Sequence, residues 1–181
     1  MVLSGTNIRD LFVLAPRVFA DGRGYFMETY RKSWLREAGI EANFVQENQS
    51  GSRRGVLRGL HYQIQKPQGK LIRAVQGEVF DAAVDLRRTS PTFGKWFGAI
   101  LSAENRTQLW IPPGCAHGFY VRSEWAEVVY KVTEHWSPEH ERTLLWNDAE
   151  IGVAWPVPEG AQPVLSDKDA AGTPLCNAEL Y

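Results

Sequence analysis

Arg58, His61 and Lys70 stand in one short stretch, from Gly55-Val56-Leu57-Arg58-Gly59-Leu60-His61 to Gln68-Gly69-Lys70. An imidazole exchanges protons near neutral pH. A held ammonium stabilises an oxyanion as it forms. A guanidinium presents a bidentate fork to phosphate or carboxylate. His61 and Lys70 together suit a proton exchange in which charge gathers on an oxygen, with Arg58 a second cation beside them. The same residues also read as an edge hairpin with a solvated lysine, an arginine in a surface pair and an incidental histidine. Tyr130 lies between Val128 and Val132 on one strand face. On that local pattern it reads first as a core tyrosine with a bonded hydroxyl, and only second as a proton donor.

Strands must position these groups. Lys66-Pro67-Gln68-Gly69 is a turn signal between two apolar runs, and the runs continue along the chain. Strand patterns cover Phe44–Gln49, Val56–Ile64, Lys70–Gln76, Glu78–Leu86, Lys95–Ser102, Thr107–Ile111, Ala116–Val121, Glu124–Glu134 and Arg142–Asn147. Before them, Ile8 to Val18 reads as extended segments broken at Pro16. Asp21-Gly22-Arg23-Gly24 reads as a turn, and Tyr25 to Tyr30 as a strand. One short helix is expected over Ser33–Ala38, with Ser33 as its cap and Gly39 as its stop. After Ile151 the chain is Pro-rich, so a coil or short helices packed on the strands are expected. Many close-set strands with almost no helix predict an all-β antiparallel sandwich or jelly roll. No linker or repeat divides residues 1–181, which reads as a single domain.

Strand parity makes two further statements. In Glu78–Leu86, Phe80, Ala82 and Val84 share a face that could pack a core, leaving Asp81 and Asp85 toward solvent or a polar cavity. Arg58 and His61 are an odd number of residues apart, so a regular strand would point them to opposite faces. Serving one site requires a bulge near Gly59, or an Arg58 that reaches a site outside its own barrel.

Composition excludes several classes. Apolar residues make up 44% and charged residues 23%, with a formal net charge of -1. No basic run supports nucleic-acid binding. No apolar stretch is long enough to span a bilayer, and the start lacks a signal-peptide pattern. The two cysteines, Cys115 and Cys176, are far apart and fit a reducing cytoplasm. Seven Trp, six Tyr and eight Phe suit a β core and also flat-ring recognition.

Pro112-Pro113-Gly114-Cys115-Ala116-His117 resembles the second motif of cupins, many of which bind a transition metal. A metal cupin usually pairs two His one residue apart, and here Gln63 stands where the second would be. No Glu or Asp follows from Tyr62 to Gln76. His61 and His117 alone are too few ligands for a metal that normally takes at least three from the protein. His135 and His140 fall in a polar loop. A metal-free barrel is therefore expected, and with it acid–base chemistry.

Taken in order, Asp21 to Glu28, Gln46-Glu47-Asn48-Gln49-Ser50, Gly55 to Gln63, Gln68-Gly69-Lys70 and Gly77 to Asp81 resemble one family. Ser90-Pro91-Thr92-Phe93-Gly94, the His117 motif, Tyr130-Lys131 and Leu145-Trp146-Asn147-Asp148 extend the match, which runs on to Ser166-Asp167-Lys168-Asp169. The family is the dTDP-4-dehydrorhamnose 3,5-epimerases. The resemblance implies a cupin-like jelly roll with a few short helices, a homodimer with exchanged or paired N-terminal strands, and no metal or organic cofactor. It implies inversion of carbons 3 and 5 of a dTDP-linked 4-keto-6-deoxy sugar, on the route to dTDP-L-rhamnose. By motif, His61 matches the base, Asp169 its orienting carboxylate, Lys70 the enolate-stabilising cation and Tyr130 the opposite-face acid. Arg23, Glu28, Gln46, Glu47, Asn48, Arg58, His117, Glu141 and Lys168 match nucleotide-sugar-binding positions, with Arg23 and Glu28 often serving the neighbouring subunit. Departures are Cys115, where many members have Phe, and Arg142, where a small residue is frequent and which could alter the rim. Two other readings fit the same motifs. One is a single-carbon epimerase on a related 4-keto-6-deoxy nucleotide sugar. The other is a non-catalytic nucleotide-sugar-binding cupin.

Overall fold

The computed structural model describes residues 1–181. Thirteen strands form, in chain order: β1 (Val2–Gly5), β2 (Phe12–Ala15), β3 (Val18–Asp21), β4 (Gly24–Met27), β5 (Gln46–Arg53), β6 (Leu57–Gln63), β7 (Lys70–Gln76), β8 (Glu78–Asp85), β9 (Trp96–Ser102), β10 (Gln108–Ile111), β11 (Cys115–Val121), β12 (Trp125–Val132) and β13 (Glu141–Thr143). Two helices, α1 (Lys32–Glu37) and α2 (Asp167–Ala170), and two 3-10 turns complete the set. Every strand pairing is antiparallel. One sheet runs β1-β2-β10-β7-β12-β5 and the other β13-β6-β11-β8-β9, while β3 and β4 form a separate hairpin. This is the expected cupin-like jelly roll.

The space between the sheets is apolar at one end and polar at the other. Ile72, Ala74, Leu109, Ile111 and Val128 from the first sheet pack against Val79, Ala83, Leu101, Phe119 and Val121 from the second. The outer faces are covered too. The C-terminal segment lays Leu144, Ile151 and Leu175 over Leu60, Tyr62, Val84 and Ala116. The α1 region lays Leu35, Ile40 and Ala42 over Leu14, Leu71 and Trp110. With both faces buried, strands such as β8 and β11 carry little alternation, because side chains on either face meet protein rather than water.

That burial bears out one expectation only in part: Asp81 meets the cavity-lining His117, but neither aspartate faces solvent and both faces of β8 pack. Val79 and Ala83 face the inter-sheet core, so Asp81 and Asp85 point inward with them, while Val84 packs under the C-terminal segment. Both aspartates are fully buried. Asp85 is satisfied by the Arg87 guanidinium at 2.8 Å, Ser90 Oγ at 2.6 Å and Thr92 Oγ1 at 2.7 Å. Burial works against its charge, but those hydrogen bonds win and hold its carboxyl down at about 2.

Local boundaries moved for local reasons. The α1 cap position is Arg31, without a side-chain cap, and Ser33 lies inside the helix. Gly39 does end it: its φ is +76°, and its N–H donates to the Arg36 carbonyl at 2.9 Å. Strand β5 runs on to Arg53, because pairing with β12 carries the polar run Ser50-Gly51-Ser52. The strand read over Tyr25–Tyr30 stops at Met27, where its pairing with Val18 ends. Strand β1 lies before the Ile8–Val18 segments expected to be extended. It is short and held at the sheet edge by β2.

Candidate active site

A cavity of about 440 Å³ opens at the polar end, between the sheets. His61 and Arg58 come from β6, His117 and Phe119 from β11, Lys70 from β7, Tyr130 from β12, and Asn48 from β5. The parity conflict between Arg58 and His61 is resolved by a register shift. His117 pairs with His61 but Phe119 pairs with Arg58, so β6 spends three steps where β11 spends two. The extra residue is a bulge at Gly59-Leu60, and it turns Arg58 back to the wall that carries His61. Only glycine fits there. Gly59 has φ +118°, and a Cβ on it would stand 2.5 Å from Gly118 Cα and 2.7 Å from the His117 carbonyl oxygen.

His61 Nε2 meets Asp169 Oδ1 at 2.5 Å. With the carboxylate accepting from that nitrogen, the other ring nitrogen is left free to take a proton. Asp169 is buried on α2 and also accepts from Ser166 Oγ at 2.8 Å and from the Gly59 N–H at 3.3 Å. Burial by itself would push this carboxyl up. The bonds from His61, Ser166 and Gly59 outweigh it and hold the group below the usual range, as an anion. Ser166 caps α2 as well, accepting from the Asp169 N–H at 3.2 Å, so one serine sets both the helix start and the carboxylate.

Lys70 is buried, with Nζ 3.5 Å from the His61 carbonyl oxygen. Burial lowers it to about 8 despite the negative charges of Glu141 and Asp81. It is therefore mainly an ammonium at neutral pH, but a thinly solvated one. Tyr130 is raised, by burial first and against the pull of the Arg58 charge, so it remains a neutral phenol. His117 Nε2 lies 2.9 Å from Asp81 Oδ2, and both are buried. Burial lowers His117 more than Asp81 raises it. Arg58 is steadied by a 3.0 Å bond from Nε to Ser52 Oγ.

The structure gathers His61, Lys70, Tyr130, Gln46, Asn48, Arg58, His117 and Glu141 around this cavity, with Asp169 directly behind His61. Lys168 reaches the rim through Glu141, at 2.6 Å. Four other residues singled out in the sequence stand elsewhere in this chain. Glu47 points to the other face of β5 and pairs with Lys131 at 2.8 Å. Arg23 sits on the β3–β4 hairpin, 91% exposed and paired with Asp21 at 2.6 Å. Glu28 follows that hairpin and pairs with Arg31. Arg142 turns from the cavity to Glu179, at 2.8 Å. Sequence reasoning missed Phe119, Gln68 and Trp136 in the lining. Trp136 had one legible signal, a large aromatic inside a polar loop. No three His, Cys, Asp or Glu side chains converge as a metal-binding set. Gln63 turns its amide to the loop backbone instead. No helix is long and apolar enough to cross a membrane.

Fold and cavity define a cupin-like jelly roll with an acid–base site: an imidazole–carboxylate pair on one wall, an ammonium and a phenol on the other. The model of the dTDP-4-dehydrorhamnose 3,5-epimerase family matches residues 5–177. An epimerase of that name from Pseudomonas aeruginosa is 55% identical over 96% of this chain and 96% of its own length. One from Neisseria gonorrhoeae is 56% identical over 99% of this chain, which spans 54% of that longer relative. The crystal structure of dTDP-6-deoxy-D-glucose-3,5-epimerase from Legionella pneumophila, in complex with dTDP-4-keto-L-rhamnose, superposes with a TM-score of 0.94. It is 47% identical, over 98% of this chain and 94% of that one. The chain belongs to the dTDP-4-dehydrorhamnose 3,5-epimerase family.

Proposed function

We propose that the chain, acting as a single domain of residues 1–181, converts dTDP-4-dehydro-6-deoxy-D-glucose to dTDP-4-dehydro-L-rhamnose by inverting carbons 3 and 5. The observation that carries this reading is the placement of His61 and Tyr130 on facing sheets across one cavity, with Lys70 in the same lining on the strand beside that of Tyr130. Inversion at a carbon beside a ketone needs that arrangement. The free nitrogen of His61 takes the carbon-bound proton. The C–H electron pair moves into a C=C bond, and the carbonyl electrons move onto the C4 oxygen. The Lys70 ammonium stabilises that oxyanion. The enolate then collapses and takes the Tyr130 hydroxyl proton on its opposite face. Solvent restores the phenol and removes the proton from His61. Repetition at the other carbon completes the reaction. No electrons enter or leave, so proton transfer suffices without an organic cofactor or metal.

Arg58 and Lys168 suit the diphosphate, with His117, Gln46, Asn48 and Glu141 on the remaining walls. Arg23 and Glu28 act in the site of a second copy. The hairpin that carries Arg23 exposes Phe19, Tyr25 and Phe26, a surface suited to burial in a homodimer. The enzyme works in the cytoplasm, where both cysteines stay reduced.

Incubation with dTDP-4-keto-6-deoxyglucose in deuterated water, read by NMR, tests the reaction. Deuterium at both carbons with inversion is expected. Deuterium at one carbon only would make it a single-carbon epimerase. Tight binding without deuterium would make it a non-catalytic binder.

A further inference from the structure

Gln63 is buried and has no place in the proton-transfer scheme, yet both ends of its amide are used. Its Nε2 donates to the Lys66 carbonyl at 2.9 Å and the His135 carbonyl at 3.3 Å. Its Oε1 accepts from the Ser137 N–H at 2.9 Å. The last two partners flank Trp136. The N–H of Trp136 itself donates to Gln46 Oε1 at 3.1 Å, and Gln46 Nε2 donates to Asn48 Oδ1 at 2.7 Å. Asn48 stands directly opposite Tyr130 in the β5–β12 register.

Trp136 itself, by contrast, is 58% exposed and lines the cavity. A polar loop ordinarily leaves its backbone to water. Here three successive main-chain groups are tied by glutamines from two different sheets. That leaves only two side-chain torsions free for a large flat surface at the cavity mouth, the economical way to hold a binding aromatic. The Tyr181 hydroxyl also donates to the Gln63 carbonyl, so the C-terminus braces the same point.

We propose that Gln63 is a positioning residue for the epimerisation, holding Trp136 as a fixed wall against the sugar end of the substrate. The sugar end follows from the chain Trp136–Gln46–Asn48, which ends at the strand position paired with Tyr130, the proposed acid. The inference rests on the proposed epimerase reading.

Gln63→Met keeps the side-chain length and removes all three bonds. It is combined with Trp136→Ala in a double-mutant cycle, read as kcat/KM for dTDP-4-keto-6-deoxyglucose and as Kd for dTDP. Gln63→Met should lose about tenfold in kcat/KM, mainly in kcat, with dTDP affinity within about twofold of wild type. In the Trp136→Ala background it should cost nothing further. Losses that multiply, an unimpaired Gln63→Met, or dTDP affinity falling in step with kcat/KM would each overturn the proposal. If Gln63→Met does not fold, Gln63→Glu enters the same cycle, since it keeps the acceptor for Ser137 and loses both donor bonds. A wild type inactive on this substrate would refute the epimerase reading itself, which separates the two failures.

Discussion

Lys70 couples activity and stability in opposite senses. Its folded pKa of about 8 lies below the free-lysine value of 10.5. Below pH 8 both folded and unfolded chains hold the proton. Between the two values the unfolded chain holds more, so stability rises with pH across that window. The ammonium that the proposed mechanism sets against the enolate is lost over the same range. Turnover should therefore fall above about pH 8 while the melting temperature, corrected by the Lys70→Met variant, climbs. Lys70→Met should be nearly inactive, yet melt higher than wild type at pH 7, because it removes a buried charge worth on the order of a few kcal/mol. A lower melting temperature would mean that Glu141 and Asp81 more than repay its burial. His61→Ala should lose about 10²–10⁴-fold in turnover, with exchange reduced at both carbons. Tyr130→Phe keeps the ring between Val128 and Val132 and deletes the hydroxyl. It should still exchange substrate protons for deuterium, returned from the His61 side with retention, while net inversion drops much further. Wild-type inversion in this variant would return Tyr130 to the core.

At the scale of elements, the site depends on β6 and β11 lying close at Gly59 and Gly118. A Cβ on Gly118 would stand 2.6 Å from the Arg58 carbonyl oxygen, and one on Gly59 would meet the Gly118 backbone. Neither obstacle is a flexible side chain. Gly59→Ala adds the strain of a positive φ to that clash, and should cost roughly 2–4 kcal/mol in chemical denaturation. It should also lower kcat/KM, since Arg58, His61 and the N–H that holds Asp169 all hang on this bulge. A variant with normal stability and activity would show that the strands can part without moving the site.

For the whole molecule, the proposal that Arg23 serves the site of a second copy predicts complementation. Arg23→Ala and His61→Ala chains should each be weakly active. Dissociated together and reassociated, they should recover activity. A mixed dimer then has one site with intact His61 from the Arg23→Ala chain and intact Arg23 from its partner. Activity no greater than the average of the two parents would show that Arg23 serves no neighbouring site. Sedimentation of the wild type should show a dimer.

Some of this was decided by the order of residues alone. The all-β class followed from short apolar runs separated by turn residues, because strand periodicity and turn chemistry are local. His61 and Lys70 were visible as a pair because one hairpin turn joins their strands. Even the bulge was foreshadowed, since parity is arithmetic on residue numbers. Tertiary structure decided what depends on two strands meeting. Which face of β8 is inside could not be read, because both faces are buried and Asp81 and Asp85 find partners, His117 and Arg87, that parity cannot supply. The His61–Asp169 contact spans 108 residues and exists only because the C-terminal segment packs back over β6. Trp136 stands in a polar loop and is exposed. Its place in the cavity wall is set by glutamines from two sheets, a convergence that no local pattern encodes.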